Sequence, residues 1–165
     1  LYVYKIKRIL YCSRFDCEFR CSASQLSAQR ENIKGESIMT KQQITTKSGA
    51  SPIGAYSQGL RVGDFIFVSG QGPLDPATGQ IVGTTVEEQT ARVLENIKAI
   101  LEAGGATMAD VVKVTAHLSD LDLFQRYNKV YATYFPDPKP TRTTVGSQLL
   151  GILVEIDAIA YVGES

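Results

Sequence analysis

Two residues near the end of the chain could act on the same chemical group. Arg142 lies in Pro140-Thr141-Arg142-Thr143-Thr144-Val145, and Glu155 lies in Ile152-Leu153-Val154-Glu155-Ile156-Asp157-Ala158-Ile159-Ala160. Ile152, Val154, Ile156, Ala158 and Ala160 alternate onto one face, the period of a strand with a buried side. Leu153, Glu155, Asp157, Ile159 and Tyr161 share the other face, which is also largely apolar. A carboxylate on such a face needs a partner, because an unpaired buried charge costs several kcal/mol. Arg142 is the nearest basic residue upstream, and an antiparallel return would bring it to Glu155. Two readings follow: a structural Arg–Glu ion pair, or a site built on the two groups.

The elements that must position these residues can be followed along the chain. Residues 1–38 differ from the rest: they hold seven Lys/Arg and four Asp/Glu, for a net +3, and all three cysteines, Cys12, Cys17 and Cys21. With no fourth ligand in range and one distant His117, a zinc site is not expected. This stretch is expected to be a disordered extension that need not belong to the mature protein, with a targeting peptide as the alternative. Residues 39–165 form the expected folded domain, with a net charge of −3. An acidic domain argues against a nucleic-acid surface, which draws on clustered Lys and Arg. Neither part has an apolar run near the ~18 residues of a membrane span. A cytoplasmic location is expected, or an organelle if residues 1–38 form a transit peptide.

Within the domain, Ile44–Thr46 is expected to form a short edge strand. Ala55–Val62 and Phe65–Ser69 read as a hairpin around Gly63-Asp64. Thr84 or Thr85 with Glu87 or Glu88 forms a capping box, opening a helix whose stripe is Val86, Val93, Ile97, Ile100 and Leu101 and which ends at Gly104-Gly105. Val111–Leu118 reads as a strand with Val112, Val114, Ala116 and Leu118 on one face and His117 on the other, as a sheet-face residue. Asp120 or Asp122 caps a second helix with an aromatic face of Phe124, Tyr127, Tyr131, Tyr134 and Phe135, and Asn128 at its edge. The order β-β-α-β-α-β-β predicts an α+β sheet with two helices on one face. The other face, carrying Phe65, Phe67, Leu153, Ile159 and Tyr161, has nothing in the chain to cover it. A second copy of the chain is the expected cover.

Five separated segments carry a resemblance. Gly54-Ala55-Tyr56-Ser57-Gln58, Val68-Ser69-Gly70-Gln71-Gly72-Pro73-Leu74-Asp75-Pro76, Asn128-Lys129-Val130-Tyr131, Pro140-Thr141-Arg142 and Val154-Glu155-Ile156-Asp157-Ala158 resemble the reactive-imine deaminase family, Rid, also called YjgF. The likeness runs through residues 43–162. It implies a chorismate-mutase-like fold and a homotrimer with a site in each cleft between subunits. It also implies hydrolysis of 2-imino acids, formed from enamines such as 2-aminoacrylate, to 2-oxo acids and ammonia, without cofactor or metal. Arg142 matches the arginine that holds the substrate carboxylate, a task suited to a permanently charged, forked donor. Glu155 matches the glutamate linked to the attacking water, as base or proton relay. Tyr56 and Ser69 match residues that line the cleft, Asn128 matches a family-typical asparagine, and Gly70 is expected to bring backbone amides near the ligand, so that these four and Thr144 are the expected substrate-binding residues beside Arg142. Thr144 stands where many members have Cys, and the turn from Val145 to Ile152 is about two residues shorter than usual and lacks the common Leu-Pro. An endoribonuclease, or a carboxylate-binding or chaperone-like trimer without turnover, are the alternative functions.

Overall fold

The computed structural model describes residues 40–163. The expectations for residues 1–38 and their cysteines lie outside the described residues. The described part is a mixed α+β fold: six strands in one sheet and two helices. In chain order these are β1 (Lys41–Ile44), β2 (Gly59–Val62), β3 (Phe65–Gln71), α1 (Val86–Ala103), β4 (Val111–Leu118), α2 (Phe124–Tyr134), β5 (Thr141–Gly146) and β6 (Val154–Tyr161). Among the described residues no helix is long and apolar enough to cross a membrane.

The helices form where local chemistry starts and stops them. Thr85 accepts from the Glu88 amide while the Glu88 carboxylate accepts from the Thr85 amide, so both sides of the capping box are made. The Val86, Val93, Ile97, Ile100 and Leu101 stripe is fully buried. Gly105 adopts φ +84° just past the end of α1, a conformation that favours glycine. Asp120 caps a single 3-10 turn over Leu121–Leu123, and α2 begins after it at Phe124 with no side-chain cap of its own.

The sheet runs β1-β2-β3-β6-β4-β5. Both helices pack on one face, where Ile66, Val68, Val114, Ala116, Leu118, Val154, Ile156, Ala158 and Ala160 join the helix stripes in one core. Phe65, Phe67 and Tyr161 stand on the other face, each more than two-fifths exposed. Phe65 packs on Tyr161 at 5.1 Å between ring centroids.

Four local expectations need correction. The edge strand lies at Lys41–Ile44 rather than Ile44–Thr46, because the Gln58 side chain takes the Thr46 amide and carbonyl out of the ladder. β2 begins at Gly59, after a loop through residues 55–58. The pairing of β4 with β6 shifts between Val111 and Lys113, so Val111 is buried and Val112 exposed. Leu153 precedes β6 and packs against the core rather than joining the open face.

The largest correction concerns strand order. β5 does not return antiparallel onto β6. It pairs parallel with β4, and β4 lies between the two. β4, α2 and β5 form a crossover unit, the connection that parallel neighbours require.

Candidate active site

Arg142 and Thr144 alternate with exposed Thr141 and Thr143 along β5, so they face the helix side of the sheet. There α2 presents its aromatic stripe. The Arg142 guanidinium carbon lies 4.3 Å from the Tyr131 ring centroid, 5.4 Å from Tyr127 and 5.5 Å from Phe124. Such contacts hold a cation by the ring quadrupole while leaving its N–H edges free. Beyond it opens a cavity of about 380 Å³ lined by Asn128, Tyr131, Ala132, Lys139, Pro140 and Arg142. Among the described residues no carboxylate lies within 4.0 Å of Arg142.

The hydroxyls of Tyr127, Tyr131 and Thr144 are buried there without a hydrogen bond of good geometry among the described residues. Burial pushes both phenols up from their usual pKa, against the opposing effect of the Arg142 charge. They therefore stay neutral around a fixed cation. Thr144 places a buried hydroxyl, and no thiol, beside Tyr127, and does not itself line the cavity.

Glu155 occupies the opposite face. Along β6 it alternates with Val154 and Ile156, which are buried under the helices. Its neighbour is Gly70, at a register shift in the pairing of β3 with β6. A Cβ on Gly70 would lie 2.4 Å from Glu155 Oε1. Glycine is required here because the carboxylate fills the space a side chain would take. The clash falls on the flexible end of a side chain, so an alanine would displace the carboxylate rather than unfold the strand. Gly70→Ala is expected to leave the melting temperature nearly unchanged and, with Glu155 in the role that the family resemblance implies, to lower kcat on the order of 10²-fold. Steady-state kinetics beside a thermal melt checks this.

Ser69 and Tyr56 complete this second cluster. The Ser69 hydroxyl donates to the Ser57 carbonyl at 2.7 Å, which ties β3 to the loop that carries Tyr56. Ser69 is thus a strut for that loop. The Tyr56 ring is 45% exposed, and its hydroxyl accepts from the Ile53 amide at 3.2 Å.

The sequence-predicted residues thus fall into two half-sites. Arg142, Asn128 and Thr144 sit on the helix side; Glu155, Gly70, Ser69 and Tyr56 belong to β6, β3 and the loop before β2. The register sets their separation. Arg142 pairs with Val114, and Val114 with Ala158, three residues beyond Glu155. Two strand spacings and three residues of rise place the two Cα atoms roughly 14 Å apart. The side chains then leave from opposite faces, so one protomer does not bring them onto one small substrate. The aromatic seat of Arg142 is the feature that sequence reasoning missed. Its signal was the Phe124–Tyr127–Tyr131 spacing, which read only as the aromatic face of a helix. Among the described residues no group of three His, Cys, Asp or Glu is placed to hold a metal ion.

Comparison with known proteins adds an independent line. Residues 46–162 match the family model described as endoribonuclease L-PSP. A RutC family protein of Pyrococcus abyssi is 53% identical over 125 residues, covering 74% of this chain and 98% of that protein. The chloroplastic Reactive Intermediate Deaminase A of Arabidopsis thaliana is 40% identical over 144 residues, covering 86% of this chain and 76% of that protein. The crystal structure of RidA from an Antarctic Psychrobacter superposes with a TM-score of 0.71 at 37% identity, over 73% of this chain and 99% of the other.

Proposed function

The chain belongs to the Rid/YjgF family, and from that premise we propose that it is a hydrolase that deaminates reactive 2-imino acids to 2-oxo acids and ammonia. One observation carries the proposal: a guanidinium backed by three aromatic rings, with no acidic partner among the described residues, at the wall of a cavity. That is the chemistry of a carboxylate anchor, since a forked cation binds a carboxylate through two parallel N–H···O bonds. The relative named Reactive Intermediate Deaminase A supports the same reaction class.

In this reading the working site lies between protomers of a homotrimer. Arg142, Asn128 and Thr144 come from one copy; Glu155, Gly70 and Tyr56 come from its neighbour. The open sheet face with Phe65, Phe67 and Tyr161 is the surface a second copy covers, because an aromatic patch of that kind is costly to leave in water. Arg142 binds the substrate carboxylate and presents the C=N carbon. Glu155 takes a proton from water as the oxygen attacks that carbon and passes it to the imine nitrogen. It then carries the hydroxyl proton of the aminoalcohol to the same nitrogen as the C–N bond breaks, so that ammonia leaves with the bonding pair and the 2-oxo acid remains. Orientation and this proton relay suffice, since the imine already reacts with water.

The test generates imines in place with an L-amino-acid oxidase and follows their loss with the full-length protein present or absent. Faster conversion, with ammonia and 2-oxo acid released in equal amounts, is the expected result. Tight 2-oxo acid binding with no acceleration would make the protein a carboxylate-binding module. Cleavage of purified RNA that disappears in Glu155→Ala would make it a nuclease.

A further inference from the structure

His117 is the only histidine in the chain, and the mechanism above does not use it. It lies on β4 directly opposite Glu155 of β6. Residues opposed across an antiparallel pair project from the same face with Cβ atoms about 5 Å apart. The open sheet face therefore carries an imidazole and a carboxylate side by side, on the side away from Arg142.

The imidazole is held in place. Its Nδ1 lies 2.8 Å from the Ser147 hydroxyl. Ser147 is itself fixed, because its amide donates to the Leu118 carbonyl at 2.8 Å. Nδ1 is thereby engaged, while Nε2 has no hydrogen bond among the described residues. The other charged groups on this face are Lys113 further along β4, Asp157 of β6 opposite Thr115, and Lys41 on the far edge strand β1; Asp120 lies beyond the end of β4. Ser147 also borders an open groove of about 1000 Å³ with Ser119, Asp120, Leu121, Gln148 and Leu149.

The geometry points to His117 as a second catalytic residue, the proton donor to the imine nitrogen, paired with Glu155 as base. This assignment rests on the imine-hydrolase reading. In the first step the water oxygen bonds to the imine carbon and the C=N π pair moves to nitrogen. Glu155 takes the water proton, and the His117 imidazolium gives its Nε2 proton to nitrogen. In the second step protonated Glu155 passes its proton to the amino group. The C–N bond breaks and its electron pair leaves with ammonia. The hydroxyl proton goes to neutral His117, and the new C=O is complete. Both residues end as they began, and the sum is imine plus water to ketone plus ammonia.

A donor and a base on one face divide the work that Glu155 alone would have to do in sequence. General acid assistance of this kind contributes at least about 10²-fold. The test compares wild type with His117→Phe and His117→Gln in the imine assay, from mildly acidic to mildly basic pH. Phe fills the site on a strand that tolerates aromatics; Gln keeps a polar contact with Ser147 but cannot cycle a proton. Both variants are expected to lose roughly 10²-fold in kcat, with KM little changed, and to lose one limb of the wild-type pH profile. Adding 2-oxobutanoate to wild type should also shift the NMR signals of the single imidazole. Rescue of rate by Gln would show a positioning role and overturn the assignment, as would a Phe variant within twofold of wild type with an unchanged profile. Wild-type protein without any hydrolysis would instead defeat the functional reading and this assignment together.

Discussion

Arg142→Ala is expected to lower kcat/KM for 2-iminobutanoate by about 10³-fold, with most of the loss in KM. Two charge-assisted hydrogen bonds to a carboxylate contribute about 4 kcal/mol together, which corresponds to that factor. The fold should survive, because the Arg142 side chain adds stacking rather than core volume. Its contacts with Tyr131, Tyr127 and Phe124 account for only about 1 kcal/mol of stability at a partly exposed site. Arg142→Lys should recover charge but not the fork, and so regain only part of the affinity. Steady-state kinetics of both variants with a thermal melt separates the two effects. Full activity in Arg142→Ala would remove the anchor from the account.

Glu155→Gln is expected to lower kcat by about 10³-fold while KM changes by no more than a few-fold, the pattern of a group needed in the transition state and not for binding. The substitution keeps shape, so the close approach of Gly70 to Glu155 is preserved. This distinguishes it from Gly70→Ala, which keeps the carboxylate and moves it. The imine assay with saturating substrate reads the change directly. A Glu155→Gln variant with kcat within twofold of wild type would exclude the carboxylate as base.

The local parts of this fold were legible because local chemistry makes them. Thr85 and Glu88 name their own helix start, and the stripe from Val86 to Leu101 names its buried face. β4 was legible in extent from Val111 to Leu118, yet the shift near its start reverses which of Val111 and Val112 is inside. A single extra residue leaves no mark on period-2 alternation. The placement of β4 between β5 and β6 was hidden for a related reason. Strand pairing at long range depends on where α2 returns the chain, and no alternation pattern within β5 or β6 encodes it.

The same limit applies to the site. Arg142 and Glu155 stood out as residues, but their faces depended on register. Arg142 shares a face with its β4 partner Val114, while Glu155 is opposite His117 on the other. His117 read as an ordinary sheet-face residue, because its two neighbours, Glu155 and Ser147, lie 38 and 30 positions away in sequence. Gly70 was legible only through the family resemblance. The reason for it, a carboxylate in the place of a Cβ, belongs to three dimensions.

The separation of the two half-sites makes the account's central claim testable by mixing inactive proteins. Arg142→Ala and Glu155→Gln subunits, unfolded together and refolded as mixed oligomers, should regain activity. A site that takes Arg142 from one protomer and Glu155 from the next is whole in about a quarter of the interfaces of a random mixture. The account predicts recovery to about that fraction of wild-type kcat/KM per site, with each variant at roughly a thousandth of wild-type kcat/KM when refolded alone. Mixed oligomers that form but stay as inactive as the separate variants would place both groups in one protomer's site and contradict it.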